Sequence, residues 1–319
     1  MKGWHTAVLV GLVLFGTGGA AFPGPSGRSA LTPRNVLVVY NTASVDSYTI
    51  ARYYANLRKL PANRLCGVEA NRYSLSIPLA SYQRLRDTIR RHITDRKLTS
   101  EIRCLFLMPD LPQGVHTGLS GRAEWLSLDS MLSDLPTDEV LPQKPNPYYT
   151  LCRRGGLLTP FGFDAEVQKR CGGMMLVSRI DAPALLQVKH MLDGTVESER
   201  RACSGKAFRG TFYVDLNPGK TPAWGTMNRS MERCAALGKA MGNPVVIERT
   251  TKRLERFTAG PAIFYTGWYT LSSALNRGQD SWIPGAIAIE IHSGSARVLK
   301  SCLLYTSPSP RDLSTSRMP

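Results

Sequence analysis

The sequence predicts an α/β fold of three layers, in which helices cover both faces of a mostly parallel sheet. Short apolar runs such as "NVLVVYN" (35–41) and "CLFLMP" (104–109) are typical of strands that are buried on both faces. Segments with helical periodicity separate these runs, and strands that alternate with helices favour parallel pairing. The chain has 319 residues, of which 43% are hydrophobic, and this is enough for a large core.

The first half of the chain predicts strands and helices in alternation. The strand "NVLVVYN" is followed by a helix that has Ile50, Tyr54 and Leu57 on one face. The next predicted elements are a short strand ("RLCGVEA"), a helix over Arg84–Lys97, an apolar strand ("IRCLFLMPD") and a helix ("AEWLSLDSMLSDL"). Prolines then become frequent over 136–163, which predicts a long ordered loop.

The second half resumes the alternation. "GGMMLVSRI" predicts a strand, after which Asp181 is interpreted as the N-cap of a helix with Pro183 in its first turn. The apolar stripe of that helix consists of Leu185, Val188, Leu192 and Val196. The remaining predicted elements are a strand at "GTFYVDL", a helix from Asn228 to Met241 and strands at "PVVIE", "PAIFYTG" and "PGAIAIEIHS".

The two ends of the chain are predicted to lie outside the folded domain. Residues 1–21 have the order of a secretory signal peptide, with Lys2, an apolar run over 7–15 that is too short to span a bilayer, and the small residues "GTGGAA". We expect export from a bacterium to the periplasm or beyond, and a mature chain that begins near Ala21 or Phe22 and is not transmembrane. The segment 302–319 lacks periodicity and resembles the read-through of a sequencing adaptor, so we expect it to be unstructured. One α/β domain over 22–301 remains, truncated at its C-terminal end.

The composition is strongly basic. The formal net charge is +16, and it falls to +14 when Lys2 and the charges of 302–319 are removed. Such a balance favours acidic partners, and we expect cell-envelope proteins or acidic surface polymers. Nucleic acid is not expected, because the charges are scattered. The densest run, "RLRDTIRRHITDRK" (84–97), is best interpreted as the solvated face of an amphipathic helix.

Cysteines and short motifs predict neither a metal nor a cofactor. Six cysteines precede residue 302, and an even number permits disulfides in an exported protein. Cys66 and Cys104 lie in apolar runs, where a buried free thiol is equally compatible with the sequence. No CxxC, HExxH, GxGxxG or GxSxG motif is present. "VDLNPGKT" has Val214 in place of the first glycine of a phosphate-binding loop, and Pro222 follows it at once, so nucleotide binding is not expected.

Polar side chains follow several predicted strands at the point where each strand ends. These residues are Asn41, Asp46, Asp110, Asp181 and Asp215. Ligands bind beyond the carboxyl ends of parallel strands, so a shared crevice would make Asp46 and Asp110 candidate catalytic residues and Asn41 and Asp46 candidate ligand-binding residues. Helix capping and turn formation are the alternative roles, and the sequence leaves both open.

The closing strand "PGAIAIEIHS" is predicted to be buried, and it ends in a second group of candidates. By its period of two, Glu290 and His292 share a face, where the carboxylate would hold the imidazole tautomer or raise its pKa. This suits a general base and a structural hydrogen bond equally well. His292 is therefore a candidate catalytic residue, and Trp268, Glu290, His292 and Ser293 are candidate ligand-binding residues. Ser293 and His292 point to opposite faces of a strand, so they do not form a nucleophile and base pair.

Several segments together resemble one family. They are "NVLVVYNTASVDSYTIARYYANLRKLPANRL", "SLDSML", "NPYY", "MLVSRIDAPALLQVKHMLD", "FYTGWYT" and "PGAIAIEIHSGSA". They look like an uncharacterised bacterial exported family found in genomes that carry the exosortase protein-sorting system. The resemblance covers most of 35–298. It implies that members continue into a glycine-rich segment and a terminal helical region.

"LVSRIDAPALLQVKHMLD" is in turn similar to a strand and helix of gingipain-type cysteine peptidases. This resemblance implies a caspase-like fold, with a catalytic histidine after one strand and a cysteine after the next. We therefore expect a sheet that is caspase-like or flavodoxin-like in outline. At those places this chain has Gly267 and Trp268, and then His292 and Ser293. The dyad is absent, which argues against peptidase activity by that mechanism.

Two functions are expected from these observations. The first is a non-peptidase accessory or binding protein linked to exosortase-type sorting of surface proteins. The alternative is a hydrolase of gingipain-like or caspase-like fold that uses His292 or the acids at the strand ends.

Overall fold

The computed structural model describes residues 31–118, 125–136, 175–203, 209–217, 219, 222–251, 254, 257–268 and 282–291, without the side chains of 202–203, 222–224 and 290–291. The chain divides between Lys189 and His190 into two compact units, here called the N-terminal and C-terminal units. Each is described by itself, and one α/β domain over 22–301 stays a prediction. The predicted signal peptide, His292, Ser293 and the segment 302–319 lie outside the described residues.

The described strands are β1 (Val36–Asn41), β2 (Leu65–Val68), β3 (Ser76–Pro78), β4 (Cys104–Leu107), β5 (Gly114–His116), β6 (Trp125–Ser127), β7 (Leu176–Arg179), β8 (Thr211–Asp215), β9 (Val245–Glu248), β10 (Ala262–Trp268) and β11 (Trp282–Ile291). The described α-helices are α1 (Val45–Arg58), α2 (Leu79–Asp95), α3 (Leu128–Ser133), α4 (Leu185–Cys203) and α5 (Pro222–Ala240).

The N-terminal unit has a parallel sheet with the strand order β2-β1-β4-β7. One face packs against α2 and α3, because Leu37, Val39 and Leu105 belong to the same core cluster as the apolar residues of those helices. The other face meets α1, where the rings of Tyr54 and Phe106 lie 4.7 Å apart. The alternation of side chains along β1 and β4 thus gives two buried faces and three layers.

Helix α2 confirms the predicted amphipathic pattern. Its buried apolar residues are Tyr82, Leu85, Ile89 and Ile93. The helix begins at Leu79, earlier than predicted, because Pro78 precedes its first turn. Its remaining faces carry most of the arginines of the run 84–97.

A small sheet with the order β3-β5-β6 adjoins the N-terminal unit's core, and the sequence did not predict it. The segment "AEWLSLDSMLSDL" was predicted as one helix, which is wrong for its first part. Trp125–Ser127 form β6, antiparallel to β5, and the helix α3 covers only Leu128–Ser133. Three residues of strand are too few for period-two alternation to stand out from helical periodicity.

The C-terminal unit has a second parallel sheet with the order β11-β10-β8-β9. Val214 and Trp268 pack with Met231 and Ala235 of α5 on one face, whereas Tyr213 and Tyr265 pack with Leu254 and Phe257 on the other. Helix α5 begins at Pro222. The predicted start at Asn228 was therefore too late, and proline fits the first helical position.

Strand β11 differs from the prediction of a buried strand. Among the described strands it lies at the edge of its sheet, and the Ile287 side chain is 38% exposed. An apolar run alone does not distinguish a central strand from an edge strand. The predicted fold class itself is confirmed: helices flank parallel sheets, and of the described strand pairs only β5 and β6 run antiparallel.

Candidate functional site

Asn41 lies at the carboxyl end of β1, as predicted, and its side chain is fully buried. Its amide nitrogen donates to the carbonyl oxygens of Ala70 (2.9 Å) and Asp110 (2.8 Å). Its amide oxygen accepts from the backbone N–H groups of Ala43 (3.0 Å) and Ala70 (3.2 Å). These four bonds use the full capacity of the amide, so it ties three chain segments together and has no position left for a ligand.

Asp110 also lies at this edge of the sheet, next to the start of α1. Its carboxylate accepts a hydrogen bond from the Ser44 hydroxyl. Ser44 is the N-cap of α1, and its side-chain oxygen accepts from the Ser47 N–H (3.1 Å). Asp110 has a positive φ of 66°, a conformation that aspartate tolerates better than most residues, and this turns the chain just after β4. The structure brings Asn41 and Asp110 together at this edge of the sheet.

Asp46 and Asp181 occupy different local settings. Asp46 lies in the first turn of α1, where a negative charge interacts favourably with the helix dipole, and it is partly exposed. Asp181 was predicted to cap α4, which is wrong because the helix begins only at Leu185. Its carboxylate instead accepts from the N–H of Ala182 (2.9 Å).

Arg179, at the end of β7, is a structural residue that the sequence did not single out. Its guanidinium donates to the carboxylate of Asp129 and to the carbonyl oxygens of Leu111 (2.8 Å) and Pro112 (2.7 Å). The side chain is 12% exposed. One planar donor group thereby joins β7, α3 and the loop after β4.

In the C-terminal unit, the candidate Trp268 is buried rather than displayed. Its side chain packs against α5, and its indole N–H donates to the Asn228 side-chain oxygen (3.1 Å). Asp215, at the end of the neighbouring strand β8, is also buried and accepts from the N–H of Leu254 (3.2 Å). Asp215 belongs to a different sheet from Asn41 and Asp110 and is described with its own unit.

The strand ends named by the gingipain resemblance are neighbours in this sheet. In the parallel pairing of β10 and β11, Gly267 lies opposite Glu290 and Trp268 lies opposite Ile291. The carboxyl ends of both strands therefore meet at one edge. The side chain of Glu290 and the candidates His292 and Ser293 lie outside the described residues.

The described thiols form no disulfides, and their raised pKa values disfavour the thiolate form that nucleophilic attack requires. Cys66, Cys104 and Cys234 make no disulfide. Burial raises the pKa of Cys66 to about 12 and the pKa of Cys104 to about 12, and it also raises the pKa of Cys234. A reactive thiol needs the opposite shift. Within the described ranges, no three His, Cys, Asp or Glu side chains cluster as metal ligands would.

An open groove beside α2 is the concave feature that the sequence missed. It has a volume of about 1080 Å³ and lies between the loop 69–76 and the exposed side of α2. Three arginines, Arg84, Arg90 and Arg91, line it together with the acids Glu69 and Asp87. The positions 84, 87, 88 and 91 follow helical spacing, so that one stripe of α2 forms a wall of the groove. We call this feature the α2 groove.

No family model, curated protein or solved structure matches this chain. None of the helices within the described ranges is both long and apolar enough to cross a membrane.

Proposed function

We propose that this chain is an exported, non-peptidase binding protein of the cell envelope, linked to exosortase-type sorting of surface proteins, and that it holds acidic polymers in the α2 groove. The observation that carries the proposal is the set of three arginine side chains along one open groove. The link to sorting depends on the family resemblance of the sequence.

The spacing of the arginines suits a long ligand. Arg84 and Arg91 are two helical turns apart, about 10.5 Å along the axis. The side chains of both are exposed, and that of Arg90 is partly buried. Guanidinium groups bind carboxylates through paired hydrogen bonds, and an extended acidic polymer can meet several of them at once.

The charge around the groove supports the same class of ligand. Residues 31–118 contain thirteen lysine and arginine residues and six aspartate and glutamate residues, a formal charge of +7. A positive field of this kind raises the rate at which acidic partners associate. The raised pKa values of Cys66 and Cys104 support a binding role over a reaction that uses either of these thiols. The side chain of Asn41 is occupied by hydrogen bonds within the protein.

The test is binding of poly-L-glutamate and polygalacturonate to the full-length chain at low ionic strength. The double variant Arg84→Ala/Arg91→Ala should lower the affinity for both polymers at least tenfold. The control variant Arg52→Ala/Arg233→Ala removes two exposed helical arginines outside the groove and should change the affinity less than twofold. Equal losses in both double variants would contradict a groove site, and no binding by the wild type would contradict the function.

A hydrolase is the second candidate, and the pairing of β10 with β11 is the observation that favours it. The residues that follow these strands start from one edge of the sheet, where ligands bind in parallel α/β folds. The assay is hydrolysis of peptide substrates by the full-length chain. Cleavage that is abolished by both His292→Ala and Ser293→Ala would establish the hydrolase and overturn the non-peptidase proposal.

A further inference from the structure

Trp125 forms an exposed aromatic surface on the small sheet. A Cβ atom added to Gly114 would lie 2.2, 2.3 and 2.5 Å from three consecutive ring atoms of Trp125, namely Cε2, Cζ2 and Nε1. Three nearly equal distances are expected when the face of the ring, rather than its edge, covers Gly114. The residue is nevertheless 45% exposed. One face of the indole thus lies on the glycine, and the opposite face is directed to solvent.

Among the described residues, the outer face of the small sheet around this ring is mostly polar. By the strand register, Trp125 shares the outer face of the sheet with His116, Ser127, Ser76 and Pro78. The inner face carries Ile77, Val115 and Leu126, which pack against the core of the N-terminal unit. A docking surface for a protein would surround an aromatic residue with further apolar residues. A single aromatic face beside His116, Ser127 and Ser76, which can form hydrogen bonds, is suited to a ligand that has one apolar face and a polar rim.

The Trp125 surface continues into the α2 groove. Ser76 and Pro78 line that groove and also belong to the outer face of the small sheet. Neighbouring strands are about 4.8 Å apart, so β6 lies about 10 Å from β3 across the sheet. An extended polymer in the groove therefore reaches Trp125 without leaving the surface of the N-terminal unit.

The charged residues of the groove also indicate which class of acidic ligand it can bind. Glu69 and Asp87 lie among the arginines. These two carboxylates offset part of the attraction for any acidic polymer, but they also accept hydrogen bonds from hydroxyl groups, which polyglutamate lacks. A ligand with both carboxylates and hydroxyls satisfies the arginines and the acids together.

We propose that the ligand is an acidic polysaccharide, with one sugar ring stacked on Trp125 and its carboxylates at Arg84 and Arg91. The C–H bonds on one face of a pyranose carry partial positive charge and meet the negative face of the indole. The ring hydroxyls lie at the rim, beside His116 and Ser127. This inference rests on the proposed function, because it names the class of polymer that the same groove takes.

The experiment compares three probes with the full-length chain: polygalacturonate, poly-L-glutamate and the neutral polysaccharide dextran. Trp125→Ala should lower the affinity for polygalacturonate at least tenfold and leave the affinity for poly-L-glutamate within twofold. Trp125→Phe keeps an aromatic face and should recover most of the loss. Gly114→Ala keeps the indole but pushes it off the sheet, and it should lower polygalacturonate affinity as well.

Tyr48→Ala is the matched control, since Tyr48 is 42% exposed but lies on α1. It should leave the affinity for all three probes unchanged, and urea unfolding of each variant checks that the fold is intact. Wild-type binding of both acidic polymers with no effect of Trp125→Ala would overturn the polysaccharide inference and leave the proposed function standing. If the wild type bound neither acidic polymer, the proposed function itself would be contradicted. Dextran binding as tight as that of polygalacturonate would overturn the acidic part of the inference.

Discussion

Asn41 and Asp110 show how a polar residue at the end of a parallel strand can act within the protein. The Asn41 amide holds the chain after β1, the chain after β2 and the chain after β4 through four hydrogen bonds. Ser44 connects the Asp110 carboxylate to the first turn of α1. The loops at this edge of the sheet are therefore fixed by side chains rather than by backbone pairing alone.

Asn41→Asp should destabilise the protein by about 2–4 kcal/mol at neutral pH, because a carboxylate cannot donate to the carbonyl oxygens of Ala70 and Asp110. The change is nearly isosteric, so the loss reports hydrogen bonds rather than a cavity. Urea-induced unfolding gives the free energy of unfolding. Asn56→Ala, at an exposed position of α1, should stay within about 0.5 kcal/mol of the wild type. A similarly small change for Asn41→Asp would show that the network is dispensable.

The described thiols lead to a chemical prediction. With a pKa raised to about 12 by burial, Cys66 and Cys104 carry about one thiolate in ten thousand at pH 8. Iodoacetamide should therefore leave both unmodified in the native chain and modify both after denaturation. Mass spectrometry of digested protein gives the extent at each site. Rapid alkylation of native Cys66 would mean that the strand opens or that the thiol is activated.

At the scale of elements, Arg179 fixes the strand β7 to the helix α3 beside it. Its contacts with Asp129, Leu111 and Pro112 bridge one strand, one helix and one loop. Backbone pairing joins β7 to β4, and one backbone hydrogen bond, from the Met175 N–H to the Ser133 carbonyl oxygen (2.7 Å), joins the start of β7 to the end of α3. Arg179 adds the attachment at the other end of both elements. A side-chain contact between elements is specific to this fold and has no signature in hydrophobic periodicity.

Arg179→Lys should weaken the attachment of α3 by about 1–3 kcal/mol, since one ammonium group cannot reproduce the planar set of donors. Amide hydrogen exchange should become faster in peptides that cover α3 and β7. The control is Arg200→Lys, whose partner Glu197 lies on the same helix and whose side chain is 73% exposed. Such an exposed pair contributes little, so exchange should be unaltered there. Unchanged exchange in α3 of the Arg179→Lys variant would contradict the proposed attachment.

The elements differ in how well the sequence predicts them. Long apolar runs and the stripe of α2 identify β1, β4 and α2, because burial imposes a period on the residues themselves. The sequence does not predict the short strands β3, β5 and β6, because three residues show too little periodicity. The sequence does not predict the α2 groove and the Trp125 surface either, but for a different reason. They arise from strand register and from a glycine beneath a ring, which depend on partners far away in the sequence.

At the scale of the whole molecule, composition indicates the sign of the partner but not the place where it binds. A net charge of +16 favours acidic ligands over the entire surface. The structure adds geometry by placing three arginines along one groove and an aromatic face at its continuation. The run 84–97 was interpreted from the sequence as a solvated helical face. Arg84, Arg90 and Arg91 lie on the side of α2 that forms one wall of the groove, whereas Arg86 of the same run is buried.

The proposed setting at the cell envelope depends on export, and residues 1–21 allow a direct test. The secretion machinery recognises a positive residue, an apolar run and small residues in that order, as in residues 1–21. The apolar run over 7–15 is too short to serve as a stable membrane anchor. Chain expressed in a bacterium should therefore appear outside the cytoplasm with its N-terminus near Ala21 or Phe22.

The measurement is the intact mass of the exported protein, with N-terminal sequencing. Leu12→Asp places a charge inside the apolar run and should keep the chain in the cell with Met1 or Lys2 at its start. Ser26→Asp, beyond the expected cleavage point, adds the same charge and should not impair export. Exported protein that retains residues 1–21, or equal export of the Leu12→Asp variant, would contradict the signal peptide. The binding of acidic polymers would then belong to another compartment, because the α2 groove does not depend on where the chain resides.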